Sequence, residues 1–270
     1  MALTVPSGQA QLAVRSSGSR DGLPLLFLHA GVADQRAWAA QVQHFQTAHP
    51  VVTFDQRGYG ETTSTPEPYS PAEDVLAVMN ATGLEQAVLV GNSKGGRLAL
   101  DFTLADPERV RALVLIGTAI SGSPRLTQWP PEVLRLDEQM DAALEAGDLD
   151  SLNELEAQLW LDGPGRSAGR VSGPLRELLL EMNGKALKAE NPGDETEPEP
   201  AYPRLNDIKV PTLLVVGDLD LPSIHENSEY AARSIPDASL HVMPGTAHLP
   251  QLEQPESFNA VLEAWLKALP

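Results

Sequence analysis

The chain has no cysteine among its 270 residues. That excludes disulfides, thiolate zinc sites and a cysteine nucleophile together. Nor does it contain a run approaching the roughly 18 uninterrupted apolar residues that a bilayer span requires. Basic residues are few: 19 Lys and Arg stand against 37 Asp and Glu, a formal net charge of −18. So acidic a surface repels phosphate backbones and anionic membranes, so neither nucleic acid nor membrane is an expected partner. Met1 to Gln11 carries no basic stretch followed by a long apolar one. No signal peptide is therefore expected, and the expected compartment is the cytoplasm. The sequence does not separate a monomer from a homodimer. What it does contain is 42% hydrophobic residues, enough for a substantial core in one α/β layered structure of this length.

Short apolar runs recur at Leu25–Leu28, Val51–Phe54, Ala87–Val90, Leu113–Ile116, Leu213–Val216 and Leu240–Met243. They are continuous rather than alternating, as parallel strands buried on both faces must be. Segments long enough for crossover helices lie at Arg36–Thr47, Pro71–Thr82, Lys94–Ala105, Ile224–Ile235 and Pro255–Leu269. The alternation predicts an α/β fold with a mostly parallel, doubly wound sheet. Leu3–Pro6 and Gln11–Arg15, joined across Pro6-Ser7-Gly8, predict an antiparallel edge hairpin. From Ser121 to Asn206 the pattern is helical only, at Glu132–Ala146, Leu149–Leu161 and Leu175–Ala189. Asn191 to Pro203, rich in proline and glutamate, reads as an exposed connector. The expected division is therefore a core of residues 1–120 and 207–270, with a helical cap at 121–206. The cap would sit as a lid over the strand C-termini, the edge where open α/β sheets bind ligands.

One turn carries chemistry. Gly91-Asn92-Ser93-Lys94-Gly95-Gly96 follows an apolar run and precedes a helix-forming one. In that strand-turn-helix context, G-x-S-x-G lifts a serine hydroxyl off the end of a sheet on a strained backbone. The same stretch is not a phosphate loop, because it misses the G-x-x-x-x-G-K-[ST] spacing. A serine needs a base, itself oriented by an acid. Of the six histidines, His44 and His49 fall at a helix end and before a strand, His241 within a strand, and His225 at a helix start. His248 instead lies in Pro244-Gly245-Thr246-Ala247-His248, a loop after the last strand. The acid should leave the preceding strand at the same edge, where Gly217-Asp218-Leu219-Asp220 offers two aspartates. Asp220 reaches further over the edge and is favoured; Asp218 is suited to stabilising the turn through its own backbone.

Across nearly its whole length the chain resembles the α/β-hydrolase superfamily in its capped form. The matching residues are His29-Ala30-Gly31, Phe54-Asp55-Gln56-Arg57-Gly58-Tyr59-Gly60, the Gly91–Gly96 elbow, Gly217–Asp220 and Gly245–His248, in that order. The resemblance implies a catalytic triad of Ser93, Asp220 and His248, in the family's chain order. It also implies an oxyanion hole made by the backbone N–H groups of Gly31 and Lys94. Ala30 stands where most relatives have a second glycine. His29, Asp55 and Arg57 read as structural residues of their loops. The Lys94 ammonium either faces solvent or meets an anionic substrate.

The implied reaction is hydrolysis of a small-molecule carboxylic ester or lactone, with no cofactor and no metal. One alternative is carbon–carbon bond hydrolysis of ring-cleavage products, in which an asparagine often precedes the serine, as Asn92 does. Against it, Val32-Ala33-Asp34 and Leu249-Pro250 replace the glycine-proline-glycine loop and the tryptophan those enzymes tend to carry. Another alternative is a ligand-binding protein with little turnover. Trp129, Trp160, Leu126, Leu134 and Met182 in the insertion are candidate substrate-binding residues. So are Leu221 and Leu249, beside the predicted acid and base. The competing reading is that these side chains only pack the insertion against the sheet.

Overall fold

The computed structural model describes residues 1–124 and 126–269. Eight strands form one sheet in the order β1-β2-β4-β3-β5-β6-β7-β8. They are β1 (Ala2–Ser7), β2 (Ala10–Gly18), β3 (Leu25–Leu28), β4 (Pro50–Phe54), β5 (Ala87–Asn92), β6 (Val110–Ile116), β7 (Thr212–Gly217) and β8 (Ala238–Met243). From β4 to β8 every pairing is parallel. β1 and β2 form the expected hairpin, longer than predicted, and β2 runs antiparallel beside β4. Every residue of β3 and β5 is buried. On β3, Leu26 and Leu28 enter one apolar cluster, while Leu25 and Phe27 enter another on the opposite face. The first cluster is closed by α2 (Pro71–Thr82), α3 (Lys94–Ala105) and α7 (Pro222–Ser234). The second is closed by α1 (Ala39–Phe45) and α9 (Pro255–Ala268).

The strand order locates the site. The chain leaves β3 for β4 on one side, then returns across β3 to β5 on the other. Where successive connections diverge in this way, the loops splay apart and a crevice opens at the strand C-termini. His29-Ala30-Gly31 follows β3 there, and Ser93 follows β5.

Between β6 and β7 lie α4 (Pro131–Glu145), α5 (Leu149–Ala157) and α6 (Pro174–Leu187). Sequence periodicity predicts one helix over 149–161, but Gln158–Asp162 is a π-helical turn. Side chains two residues apart on it face nearly opposite ways. Leu159 joins Val133, Leu136, Val216, Leu221 and Ile224. Leu161 joins Ala30, Ala33, Ala37, Leu179, Met182 and Leu249. The inserted helices are thus fastened to the core by two separate apolar patches, and Trp160 packs against the first of them.

The connector before β7 is mostly exposed, as expected, and is nonetheless bonded to the core. Tyr69 and Glu195 form a parallel bridge, supported by Tyr69 N–H to Asp194 O at 3.0 Å and Thr196 N–H to Tyr69 O at 2.8 Å. Glu195, Glu197 and Glu199 pair with Lys94, Arg97 and Arg204. Its last residues, from Tyr202, already belong to a 3-10 turn.

Candidate active site

Ser93 sits between β5 and α3 with φ 53° and ψ −114°. It is the one non-glycine residue with positive φ among those described. Such a conformation stores on the order of 1–3 kcal/mol and persists only where neighbours enforce it. They do so by close approach. A Cβ on Gly91 would lie 2.3 Å from the Gly95 carbonyl oxygen, and one on Gly95 would lie 2.2 Å from that of Leu28. The glycines therefore let α3 press onto β3 and β5. Gly95→Ala is expected to lower unfolding free energy by about 3 kcal/mol, since backbone must move to admit the methyl. A urea midpoint unchanged from the native chain would contradict this.

The predicted acid and base meet. His248 Nδ1 lies 3.0 Å from Asp220 Oδ1 and 2.8 Å from Oδ2, and both side chains are almost fully buried. Asp220 Oδ1 also accepts the Leu221 N–H at 2.7 Å. With Nδ1 engaged by a carboxylate, Nδ1 carries the proton and Nε2 keeps its lone pair. That Nε2 is buried and has no hydrogen-bond partner. Asp218 is occupied elsewhere: its Oδ1 accepts the Gly245 N–H at 2.7 Å. It braces the histidine loop instead of its own turn.

Ser93 and His248 are linked through the Asn92 side chain. Asn92, the residue before Ser93, donates from Nδ2 to the His248 carbonyl at 3.1 Å and to the Ile116 carbonyl at 3.0 Å. Its Oδ1 accepts from Gln251 Nε2 at 2.9 Å. Gly117, after β6, leaves room for the pair: a Cβ there would lie 3.1 Å from His248 Nδ1 and 3.2 Å from Asp220 Oδ2. The Ser93 hydroxyl itself makes no hydrogen bond to the imidazole in this structure. Such bonds commonly tighten only with substrate in place.

Gly31 and Lys94 are adjacent, a Cβ built on Gly31 falling 3.8 Å from Lys94 Cβ. Lys94 opens α3, so its N–H is one of the donors a helix start leaves free. The Lys94 ammonium takes a third course, neither free in solvent nor open to a ligand. It pairs with Glu195 at 2.6 Å and lies 5.5 Å from the Tyr59 ring centroid. His29 is structural, as expected. Its Nδ1 bonds the Ala30 carbonyl at 2.8 Å, and its Nε2 accepts the Gln56 N–H at 3.0 Å. Burial pushes its pKa below the usual imidazole range. Asp55 accepts from Gln35 and Glu61 N–H groups at 2.8 Å each.

The predicted substrate-binding residues fall into different places. Trp160 lies against the imidazole, ring centroids 4.5 Å apart, and its carbonyl accepts the His248 N–H at 3.2 Å. Trp129 is partly exposed beside the cluster that buries Leu221. Leu249 and Met182 are enclosed in the other cluster, where they pack and offer no surface. Leu134 is 47% exposed on the outside of α4, the reverse of a pocket wall. Among the described residues no group of three or more His, Asp or Glu side chains is placed to hold a metal ion. No described helix is long and apolar enough to cross a membrane.

A strand-order switch, a serine on a strained elbow and a buried Asp-His pair at one sheet edge define a hydrolase-like α/β protein. Residues 24–255 match the alpha/beta hydrolase fold family, and the chain belongs to it. It is 30% identical to a 2-hydroxy-6-oxononadienedioate/2-hydroxy-6-oxononatrienedioate hydrolase of Burkholderia vietnamiensis, over 90% of this chain and 86% of that one. Among solved structures it is similar to a thermophilic esterase from Thermogutta terrifontis, with TM-score 0.78, 26% identity, and coverage of 100% and 98%. It is also similar to Est816, described as an N-acyl homoserine lactone degrading enzyme, with TM-score 0.75, 27% identity, and coverage of 97% and 99%.

Proposed function

We propose that this alpha/beta hydrolase cleaves a small-molecule carboxylic ester or lactone through an acyl-enzyme. In this reading His248 Nε2 takes the Ser93 proton as the oxygen attacks the carbonyl carbon. The Gly31 and Lys94 N–H groups hold the resulting oxyanion, and Asp220 holds the imidazolium. The proton then passes to the leaving alkoxide, and a water activated by His248 releases the acid. Residues 121–206 act as a cap, with Trp160 closing over the imidazole. The observation that carries the reading is the buried Asp220–His248 pair, whose Nε2 has no protein partner.

Carbon–carbon bond hydrolysis is kept as a second reading because of the 30% identity to the Burkholderia vietnamiensis hydrolase. One panel separates the two: p-nitrophenyl esters of graded acyl length, simple and N-acyl homoserine lactones, and a ring-cleavage dienoate. Ester or lactone turnover at least tenfold above dienoate turnover supports the proposal, and the reverse ranking transfers it. A fluorophosphonate probe tests the chemistry itself. Labelling of the native chain but not of Ser93→Ala is expected; no labelling of either points to a ligand-binding protein.

A further inference from the structure

Three backbone groups around His248 are each fixed by a different partner. The His248 N–H donates to Trp160 O, and the His248 carbonyl accepts from Asn92. The preceding N–H, that of Ala247, donates to Glu253 Oε1 at 2.7 Å. Glu253 ends the short helix α8 (Pro250–Glu253), and its side chain is only 4% exposed. Its other oxygen, Oε2, accepts from Arg170 Nη2.

Arg170 comes from the loop before α6 and joins both sides of the site. It donates to the Leu161 carbonyl at 2.6 Å and the Asp162 carbonyl at 2.6 Å, at the end of the π-helical turn. It donates to the Gly245 carbonyl at 3.0 Å in the histidine loop. Asp162 is fully buried and in turn accepts from Arg176 Nη1 at 2.8 Å. A single arginine-glutamate pair thus ties the turn bearing Trp160 to the loop bearing His248.

We propose that Glu253 is a positioning residue for His248, acting through the Ala247 N–H and, with Arg170, fastening the π-helical turn over the imidazole. The proposal rests on His248 being the base. A charged carboxylate accepts such hydrogen bonds about twice as strongly as a neutral one. Burial pushes the Glu253 carboxyl up to about 7, with Arg170 and the Ala247 N–H opposing and nearby Asp162 adding to the rise. The other charged or titratable groups around the loop are Asp218 just after β7, bound to Gly245, and the Asp220–His248 pair itself. Above about 7 the ionised glutamate holds the loop; below it the protonated form leaves Arg170 without its counter-charge.

The test is kcat/KM against pH for the best ester of the panel, between about pH 5 and 9, where acid and base limbs separate. On the acid side the native enzyme is expected to fall with a slope steeper than one, because protonating Glu253 adds a loss of about tenfold to the ionisation that silences the base. Glu253→Gln, which keeps an oxygen for the Ala247 N–H, is expected to show a slope of one. Its plateau kcat should fall about tenfold with KM little changed, as for a slightly misplaced base. Arg170→Met removes a group that opposes the rise, so its acid limb should move to higher pH. A native slope of one with both variant limbs unmoved would overturn the proposal, and Arg170→Met alone decides if Glu253→Gln does not fold. His248→Gln separates this from failure of the underlying mechanism: retained activity there removes the base, whereas an inactive variant beside a native slope of one removes only the role of Glu253.

Discussion

Asp220→Asn is expected to lower kcat/KM for a short p-nitrophenyl ester by about 10⁴-fold, while Asp218→Asn stays within tenfold of the native enzyme. Both oxygens of Asp220 lie within 3.0 Å of His248 Nδ1. An amide there offers a donor where a carboxylate accepted. The imidazole then turns its lone pair to Nδ1 and its proton to Nε2, and it can no longer take a proton from Ser93. Size and burial are almost unchanged, so the loss is one of tautomer and charge. Asp218 uses a single oxygen to accept the Gly245 N–H, and an asparagine oxygen can do the same. Comparable losses in both variants, or a larger one at Asp218, would move the acid off Asp220.

The second large effect concerns folding. Arg57 is buried, donating from Nε and Nη2 to Asp74 at 2.9 and 3.0 Å. It also donates from Nη1 to Glu67 at 2.7 Å and from Nη2 to the Ser7 carbonyl at 2.9 Å. Its guanidinium carbon lies 4.4 Å from the Tyr69 ring centroid. It therefore binds β1, α2 and the loop after β4 to one another. Arg57→Met keeps most of the volume but leaves the 3% exposed Asp74 carboxylate without its cation. Stranding one member of a buried pair costs about 3–5 kcal/mol, read as a lower urea midpoint. The Arg57→Met, Asp74→Leu double variant should recover much of that loss, because no buried charge is then left alone. A single variant within 1 kcal/mol of native, about the value of an exposed pair, would refute the argument.

The strands of the sheet were legible because burial on both faces demands unbroken apolar runs, and such runs as Ala87–Val90 have no other ready explanation. The elbow was legible for a different reason: its glycines answer to contacts between three neighbouring elements, and no other side chain fits. Periodicity does not report the π-helical turn. Leu152, Leu155 and Leu159 continue a helical stripe, and nothing local marks the extra residue of the turn. The Asn191–Pro203 connector is legible from composition as exposed, and most of it is; that its glutamates also meet Lys94 and Arg97, distant in sequence, is not, because no local window contains both halves of the match. Glu253 was missed likewise, since nothing around Gln251-Leu252-Glu253 marks a carboxylate buried beneath the histidine loop. Leu134, a candidate pocket residue by sequence, lies on the exposed side of α4, because hydrophobicity alone does not say which face of a helix a residue occupies.

The pairing of β6 with β7 has a consequence for how such an enzyme changes over generations. Val114, Leu115 and Ile116 hydrogen-bond directly alongside Leu213, Leu214 and Val215, so the helices α4 to α6 are an excursion between two strands that already touch. Substitutions on the outer faces of that excursion leave the register of β6 with β7 untouched. The same excursion also covers Ala30 and Leu249, so variation there stays harmless to the core only where the apolar contacts of Leu161, Leu179 and Met182 are kept.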